Sequence, residues 1–290
     1  MHNSVVILCY PKIDHEKNYV YFWMPYSLLF VAKPLLEQDT PVLLFDGNLK
    51  GEQEWLELLD AHIGKVLTIG FSIMTGGGQI GHALHFADLA RAKMPDVPLT
   101  FGGPHVNVLP EQTLEHPLVD FVLTGPGQTS MPAFIKALTG QLPFSDIPGL
   151  ITKNNHMIVR GPNNPAKVEQ LGNYPWELID INSYIRDDPT VASRTLNYIS
   201  SQGCIYKCRF CYELTYQRRY SKIPANTMLQ DIQQLVTDYN INGIKFYDAD
   251  FFIDLRRTSD FVRQLIAEGP EIRWAASINP KDVLRFRQRE

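Results

Sequence analysis

Cysteine is scarce, four in 290 residues, too few for the disulfide framework that holds a small secreted domain together. Neither sign of charge dominates: 27 Lys+Arg stand against 31 Asp+Glu, a formal net charge of −4. Without a basic stripe to neutralise phosphates, this balance argues against a nucleic-acid binder. Residues 19–32 make a 14-residue stretch free of charge, but Pro25 interrupts it and Lys33-Pro34 closes it; a membrane span needs ~20. The first residues lack a basic segment followed by a small-residue cleavage site, and Val5-Val6-Ile7-Leu8 is only strand-sized. The expectation is a soluble, cytoplasmic chain without a membrane span. With 44% hydrophobic and 20% charged residues, disorder and collagen-like repetition are excluded, and there is enough apolar surface for one large or two ordinary domains.

Short β-rich runs at 4–9, 41–45, 65–71, 98–101 and 119–123 alternate with helical patterns at 26–38, 53–62, 80–93 and 130–139. That alternation predicts an α/β fold, a five-stranded doubly wound parallel sheet with right-handed crossovers over residues 1–140. Ligands of such sheets bind outside the carboxyl ends of the strands. Three of those ends run into glycine and small polar residues: Ser72-Ile73-Met74-Thr75-Gly76-Gly77-Gly78, Gly102-Gly103-Pro104-His105-Val106 and Thr124-Gly125-Pro126-Gly127-Gln128-Thr129. Each alone reads equally well as a tight strand-to-helix turn; three on one edge favour a ligand shelf of backbone N–H groups and hydroxyls. A dinucleotide would want G-x-G-x-x-G after the first strand, where Tyr10-Pro11-Lys12-Ile13-Asp14-His15 stands without glycine.

Residues 141–194 read as a linker, since 141–190 holds six of the 20 prolines and no sustained helical period. Within it, 149–152 and 157–159 around Lys153-Asn154-Asn155-His156 predict a small hairpin. After a strand at 195–200, three of the four cysteines fall within eight residues, Cys204, Cys208 and Cys211, spaced C-x3-C-x2-C. A closed structural zinc needs a fourth ligand. All eight histidines lie at or before His156, and the remaining Cys9 sits in the first strand of the other domain. Three thiolates instead suit a cluster of four irons with one iron left open for chemistry.

The spacing, with Phe210 before the last cysteine, resembles the radical S-adenosylmethionine (SAM) superfamily. The resemblance implies that Cys204, Cys208 and Cys211 hold a [4Fe-4S] cluster whose open iron chelates SAM, that Phe210 packs near its adenine, and that electron transfer yields a 5′-deoxyadenosyl radical. Further strands at 243–247 and 273–277 follow. Phe246-Tyr247-Asp248-Ala249-Asp250-Phe251 resembles the family's Phe-x-Asp-Asp-x-Phe near the SAM amino group, with Asp248 matching and Ala249 replacing the second acid. Asp248 fits either that role or a strand-end cap; Ser277 and Asn279 fit either SAM contacts or turn residues.

A five-stranded domain before such a barrel resembles the cobalamin-binding branch of the superfamily. Gly102-Gly103-Pro104-His105 matches its Gly-Gly-Pro-His turn, whereas Gly125-Pro126-Gly127-Gln128 keeps the glycines of its Gly-Glu-Gly-Glu turn and loses both acids. The resemblance implies cobalamin resting on Ser72, Thr75, Gly76, Gly102–Val106 (Gly103, Pro104 and His105 included), Gly125, Gly127 and Gln128. The Asp-x-His-x-x-Gly signature of other B12 domains is missing, so no protein histidine is expected on cobalt. The aromatic residues at 19–23 suit either the corrin face or the core. Methyl transfer to an unactivated carbon is the implied activity, with a small-molecule substrate and an electron donor such as flavodoxin or ferredoxin; ring formation, oxidative rearrangement and cofactor binding without turnover are the rivals. Residues 198–290 number 93, about three of a barrel's six strand–helix units at roughly 31 residues each, which predicts a truncated half-barrel over 195–290 with an exposed, aggregation-prone edge.

Overall fold

The computed structural model describes residues 4–13, 23–74, 78–154, 157–164, 171–213 and 220–287. Two compact units divide the chain, one built mainly from residues 25–166 and the other mainly from 180–290.

In the first unit, β1 (Val5–Tyr10), β2 (Val42–Asp46), β3 (Val66–Ser72), β4 (Leu99–Gly102) and β5 (Phe121–Leu123) pair in parallel in the order β2-β1-β3-β4-β5. β1 is buried at all six positions, as an apolar run covered on both faces requires. Its alternating side chains divide the core. Ile7 and Cys9 join Phe45, Trp55, Phe71, Phe86 and Phe101 on one face, with α2 (Glu52–Ala61) and α3 (Gly78–Lys93); Val6, Leu8 and Tyr10 join Leu28, Ala32 and Phe134 on the other, with α1 (Tyr26–Leu36) and α6 (Gly127–Leu138). Helices on both faces make the sheet doubly wound, as expected. Cys9 is therefore a core residue. The one indole nitrogen in this core, on Trp55, donates to the Phe86 carbonyl at 3.1 Å.

The sheet is larger than the alternation predicted. The hairpin β6 (Leu150–Asn154) and β7 (Met157–Arg160) pairs antiparallel onto β5, through Val122 opposite Ile151, and makes a seven-stranded sheet. It is thus part of the first domain and not of the linker. Burial explains it: Leu150 and Ile151 complete the two core faces, and the hairpin covers what would be a free edge of β5. Two short helices also went unread, α4 (Pro104–Val108) and α5 (Pro110–Glu115), each opened by a proline at its first position, where the missing N–H costs nothing.

The second unit has a four-stranded sheet. β9 (Ala192–Tyr198), β12 (Gly243–Phe246) and β13 (Arg273–Ala276) lie side by side and parallel, and β8 (Arg186–Asp188) flanks β9 antiparallel. α7 (Ala225–Tyr239) and α8 (Leu255–Glu268) are the crossovers, and α9 (Pro280–Arg287) follows β13. Successive strands are neighbours throughout, which is barrel-like winding in one direction and differs from the reversal in the first sheet. Tyr198, Phe246, Phe251 and Phe261 pack edge to face in its core. Two-residue strands β10 (Ser201–Gln202) and β11 (Ser221–Lys222) pair antiparallel and bracket the segment between them. Among the described residues no helix is long and apolar enough to cross a membrane.

Candidate functional site

At the carboxyl edge of the first sheet the glycine turns are laced together by backbone. Ile73 donates its N–H to Gly102 O at 2.9 Å, and His105 donates to Ile73 O at 3.0 Å. Gly103 has φ +93°, and a Cβ there would fall 2.7 Å from Ile73 O, so only glycine allows this approach. Asn107 joins the next pair of turns: its amide donates to Gly103 O at 2.7 Å and its Oδ1 accepts Gly125 N–H at 2.7 Å. Asn164 closes the far side by donating to Thr124 O and Pro126 O, both at 3.0 Å. On the near side Gln79, buried in the first turn of α3, accepts Met74 N–H at 2.6 Å and donates to Pro11 O at 2.9 Å, while the Tyr10 hydroxyl donates to Met74 Sδ at 3.3 Å. The Ser72 hydroxyl donates to Ser27 at 2.9 Å.

The expected shelf residues therefore separate by role. Gly102 has only Leu123 O within reach of a Cβ, at 3.8 Å, and leaves its outer side open. Gly127 is a packing glycine, since a Cβ would meet Val31 Cγ2 at 2.6 Å. Val106 is fully buried in the core and offers the edge only its backbone. Pro104, His105, Gly125 and Gln128 are half-buried along the edge, and desolvation holds the His105 imidazole below its usual range, hence neutral. Thr75, Gly76, the hairpin turn at Asn155 and His156, and residues 14–22 lie outside the described residues. Trp23 stands edge-on to Tyr247 at 4.4 Å, in the second unit. Gln79, Asn107 and Asn164 were missed because nothing local marks an amide that bonds a turn tens of residues away.

In the second unit, Cys204, Cys208 and Cys211 are free and half-buried on one segment beyond the end of β9. Gly203, at φ +80°, turns the chain into it. Cys211 N–H donates to Cys208 O at 2.9 Å. Burial pushes the Cys204 thiol up; the Tyr206 N–H opposes this, while Asp250, Glu213 and Cys211 add to it. A positively charged metal centre reverses that sign. Among the described residues no three His, Cys, Asp or Glu side chains converge as ligands of one ion; a four-iron cluster takes each thiolate on a different iron and needs no such convergence. Phe210 is 94% exposed and Ile205 54%, apolar surface beside the thiols.

The two acids after β12 do different things. Asp248 faces inward: its Oδ1 accepts the N–H groups of Ser200 and Ser201, each at 2.7 Å, and its Oδ2 accepts the Ser200 hydroxyl. Arg257 Nη1 donates to Ser200 O and Oγ at 3.0 Å, and Nη2 to Phe251 O at 3.2 Å. Burial pushes Asp248 up, against the pull of Ser200 and Arg257. It anchors the strand end that carries the cysteines. Asp250 lies near enough to Cys204 for its charge to add to the upward push on that thiol. It accepts Phe252 N–H at 3.0 Å and Asn279 N–H at 3.2 Å. Ser277 O accepts Phe251 N–H at 3.1 Å, and Asn279 Oδ1 accepts Lys281 N–H at 3.0 Å to open α9. Ser277 and Asn279 thus tie the end of β13 to the Asp250 loop.

The model of the B12-binding domain family matches residues 18–135. An uncharacterised methyltransferase of Pyrococcus horikoshii is 27% identical over 263 residues, 87% of this chain and 54% of that one. The anaerobic magnesium-protoporphyrin IX monomethyl ester cyclase of Synechocystis is 23% identical over 266 residues, 90% of this chain and 52% of that one. The chain thus spans about half the length of these curated relatives. Among solved structures, the radical SAM methyltransferase TsrM from Kitasatospora setae, with cobalamin and [4Fe-4S] cluster bound, superposes with a TM-score of 0.74 at 18% identity, over 91% of this chain and 52% of that one. The cobalamin-dependent SAM radical enzyme OxsB, with aqua-cobalamin bound, does so at 0.75 and 20%, over 93% and 38%. Residues 18–135 thus match the B12-binding domain family, and the chain has the fold of these cobalamin-dependent radical SAM structures.

Proposed function

We propose that the chain belongs to an enzyme that binds cobalamin on the edge of the first sheet and a [4Fe-4S] cluster on Cys204, Cys208 and Cys211, and that methylates an unactivated carbon of a small molecule. The observation that carries this is the donor set: three free, half-exposed thiols on one segment beyond a parallel strand, with exposed Phe210 among them. The first unit fits the larger cofactor because Gly102 leaves its outer side open while Gly103 and Gly125, both at positive φ, let the turns lie flat. When bound, the cluster and cobalamin supply reductive cleavage of SAM and methyl donation; the protein supplies orientation and exclusion of water.

This chain's residues divide that work. Cys204, Cys208 and Cys211 are the ligands, and Asp248 with Arg257 fixes the strand end from which they project. Phe210 offers an aromatic face for the SAM adenine. Asp250, Ser277 and Asn279, on adjoining strand ends, bound the side toward its amino acid portion. Gln79, Asn107 and Asn164 hold the turns on which cobalamin rests, and His105 stays neutral there. An external one-electron donor such as flavodoxin or ferredoxin completes the set.

A second reading, oxidative ring formation, has the likeness to the cyclase in its favour. Anaerobic reconstitution with iron, sulfide, cobalamin, SAM and a reductant tests the proposal, with corrin and cluster absorption and 5′-deoxyadenosine as readouts. Product mass separates the readings, since methyl transfer adds one methylene unit. An intact cluster with no SAM cleavage refutes the catalytic claim. Failure to retain cobalamin refutes the first site.

A further inference from the structure

The cysteine segment has two sides. From Cys204 to Arg209 burial alternates: Cys204, Tyr206 and Cys208 are half-buried, whereas Ile205, Lys207 and Arg209 are exposed, Ile205 by 54%. A single thickness of backbone therefore separates the two half-buried thiols from the outward side chains. The outward side is basic. Lys281, exposed in the first turn of α9, holds its ammonium 5.8 Å over the Tyr206 ring and adds a third cation to Lys207 and Arg209. Among the described residues none of these three has an ion-pair partner, while Lys222 on β11 and Arg285 on α9 are paired with Asp254 and Asp282. The acids Asp250 and Asp282 are buried and do not offset them at the surface. The chain carries a net charge of −4, so three unpaired cations beside an exposed Ile are a local departure from its composition.

We propose that this outward side, Ile205 with Lys207, Arg209 and Lys281, docks an acidic protein that carries single electrons. Exposed apolar surface among charged side chains that include Arg is the anatomy of a protein–protein contact. Unpaired cations of one sign select a partner rich in carboxylates and speed its encounter. A partner seated there has only the backbone of the segment between it and Cys204 and Cys208, which is why an electron carrier fits the face and an arbitrary acidic protein does not. The carrier gives up one electron to the group those thiols hold, and no atom changes hands. The inference rests on the functional reading above for the identity of that partner; the charged face itself belongs to the bare chain.

The test measures binding of oxidised flavodoxin, and separately of oxidised [2Fe-2S] ferredoxin, to the full chain with and without reconstituted cluster, under anaerobic conditions. Association is expected to be fastest at low salt and to fall as ionic strength passes about 0.1 M, where charges are screened within ~10 Å. Lys207→Glu combined with Arg209→Glu should slow association at low salt about tenfold or more. Cluster reduction by reduced flavodoxin should slow with it, while reduction by photoexcited deazaflavin, a small molecule that needs no docking face, stays at the wild-type rate. Lys281→Glu, on another element and outside the cysteine spacing, should act in the same direction and serves where the double variant does not hold a cluster. Binding unchanged in both variants, binding indifferent to salt, or equal binding of an acidic protein without a redox centre overturns the proposal. So does a loss confined to SAM binding, which would turn the cations toward the small molecule. Salt-sensitive docking to a chain that takes up no cluster refutes the functional reading and leaves the face standing. A chain that cleaves SAM with deazaflavin yet docks neither carrier refutes this inference alone.

Discussion

Replacing Arg257 with Met tests whether the Asp248–Arg257 pair carries the strand end beneath the cysteines. Arg257 is 4% exposed and Asp248 3%. Three hydrogen bonds run from the guanidinium to Ser200 O, Ser200 Oγ and Phe251 O, and its plane lies 5.1 Å over the Phe251 ring. Met keeps most of the apolar volume, so the loss is electrostatic. A buried carboxylate is left without its countercharge, which costs about 3–5 kcal/mol. In calorimetry of the full chain, the second unit's transition should fall by about 12 °C or more, at roughly 4 °C per kcal/mol. The sign with pH is fixed by Asp248. Burial raises it in the folded state, so its contribution is fully present below the ordinary carboxylate value of about 3.9 and is lost as pH rises through the raised folded value. The penalty in Arg257→Met should therefore grow from pH 4 to pH 7. A penalty under about 1 kcal/mol at pH 7, roughly a fifteenth to a fifth of a domain's stability, or one equal at both pH values, would refute the reasoning.

Lys245→Met addresses the opposite sign. Burial works against ionised Asp188, but hydrogen bonds from Lys245 at 2.7 Å and from Thr190 outweigh it and hold the carboxyl below its usual range. That stability is present above the unfolded value of about 3.9 and is lost as pH falls through the lower folded one; urea unfolding should show a deficit of about 1.5–3 kcal/mol at pH 7 that narrows toward pH 3. Gln79→Ala removes two hydrogen bonds between the turns after β1 and β3 and should weaken cobalamin binding about tenfold by absorbance titration; affinity within twofold of wild type would remove Gln79 from the site. Gly103→Ala places a Cβ 2.7 Å from Ile73 O at φ +93°, and thermal melts should show a loss of about 1–3 kcal/mol in the first unit.

Much of the fold was legible in the sequence because its signals are local. Strand and helix periods, glycine at strand ends and the spacing of Cys204, Cys208 and Cys211 need only neighbouring residues. The five parallel strands of the first sheet fall within a residue or two of where the alternation places them. What was misread involved pairing over distance. The hairpin at 150–160 carries no mark of which domain it joins, and only burial of Leu150 and Ile151 against β5 assigns it to the first sheet. Asp248, which by position fits either a SAM contact or a strand-end cap, accepts the N–H groups of Ser200 and Ser201, 48 and 47 residues away, a pairing that no local signal marks.

The sequence by itself determined the chemistry available: three thiols without a fourth, glycine turns on one strand edge, and no histidine near the cysteines. The tertiary structure alone decided which side chains hold the elements that carry these groups. Asp248 accepts from Ser200 and Ser201 whereas Asp250 accepts from Phe252 and Asn279, and Gln79, Asn107 and Asn164 hold the turns. The physical reason is that the direction of a side chain at a strand end is set by the hydrogen bonds and packing that satisfy it once buried, and those partners come from elements far away in the chain.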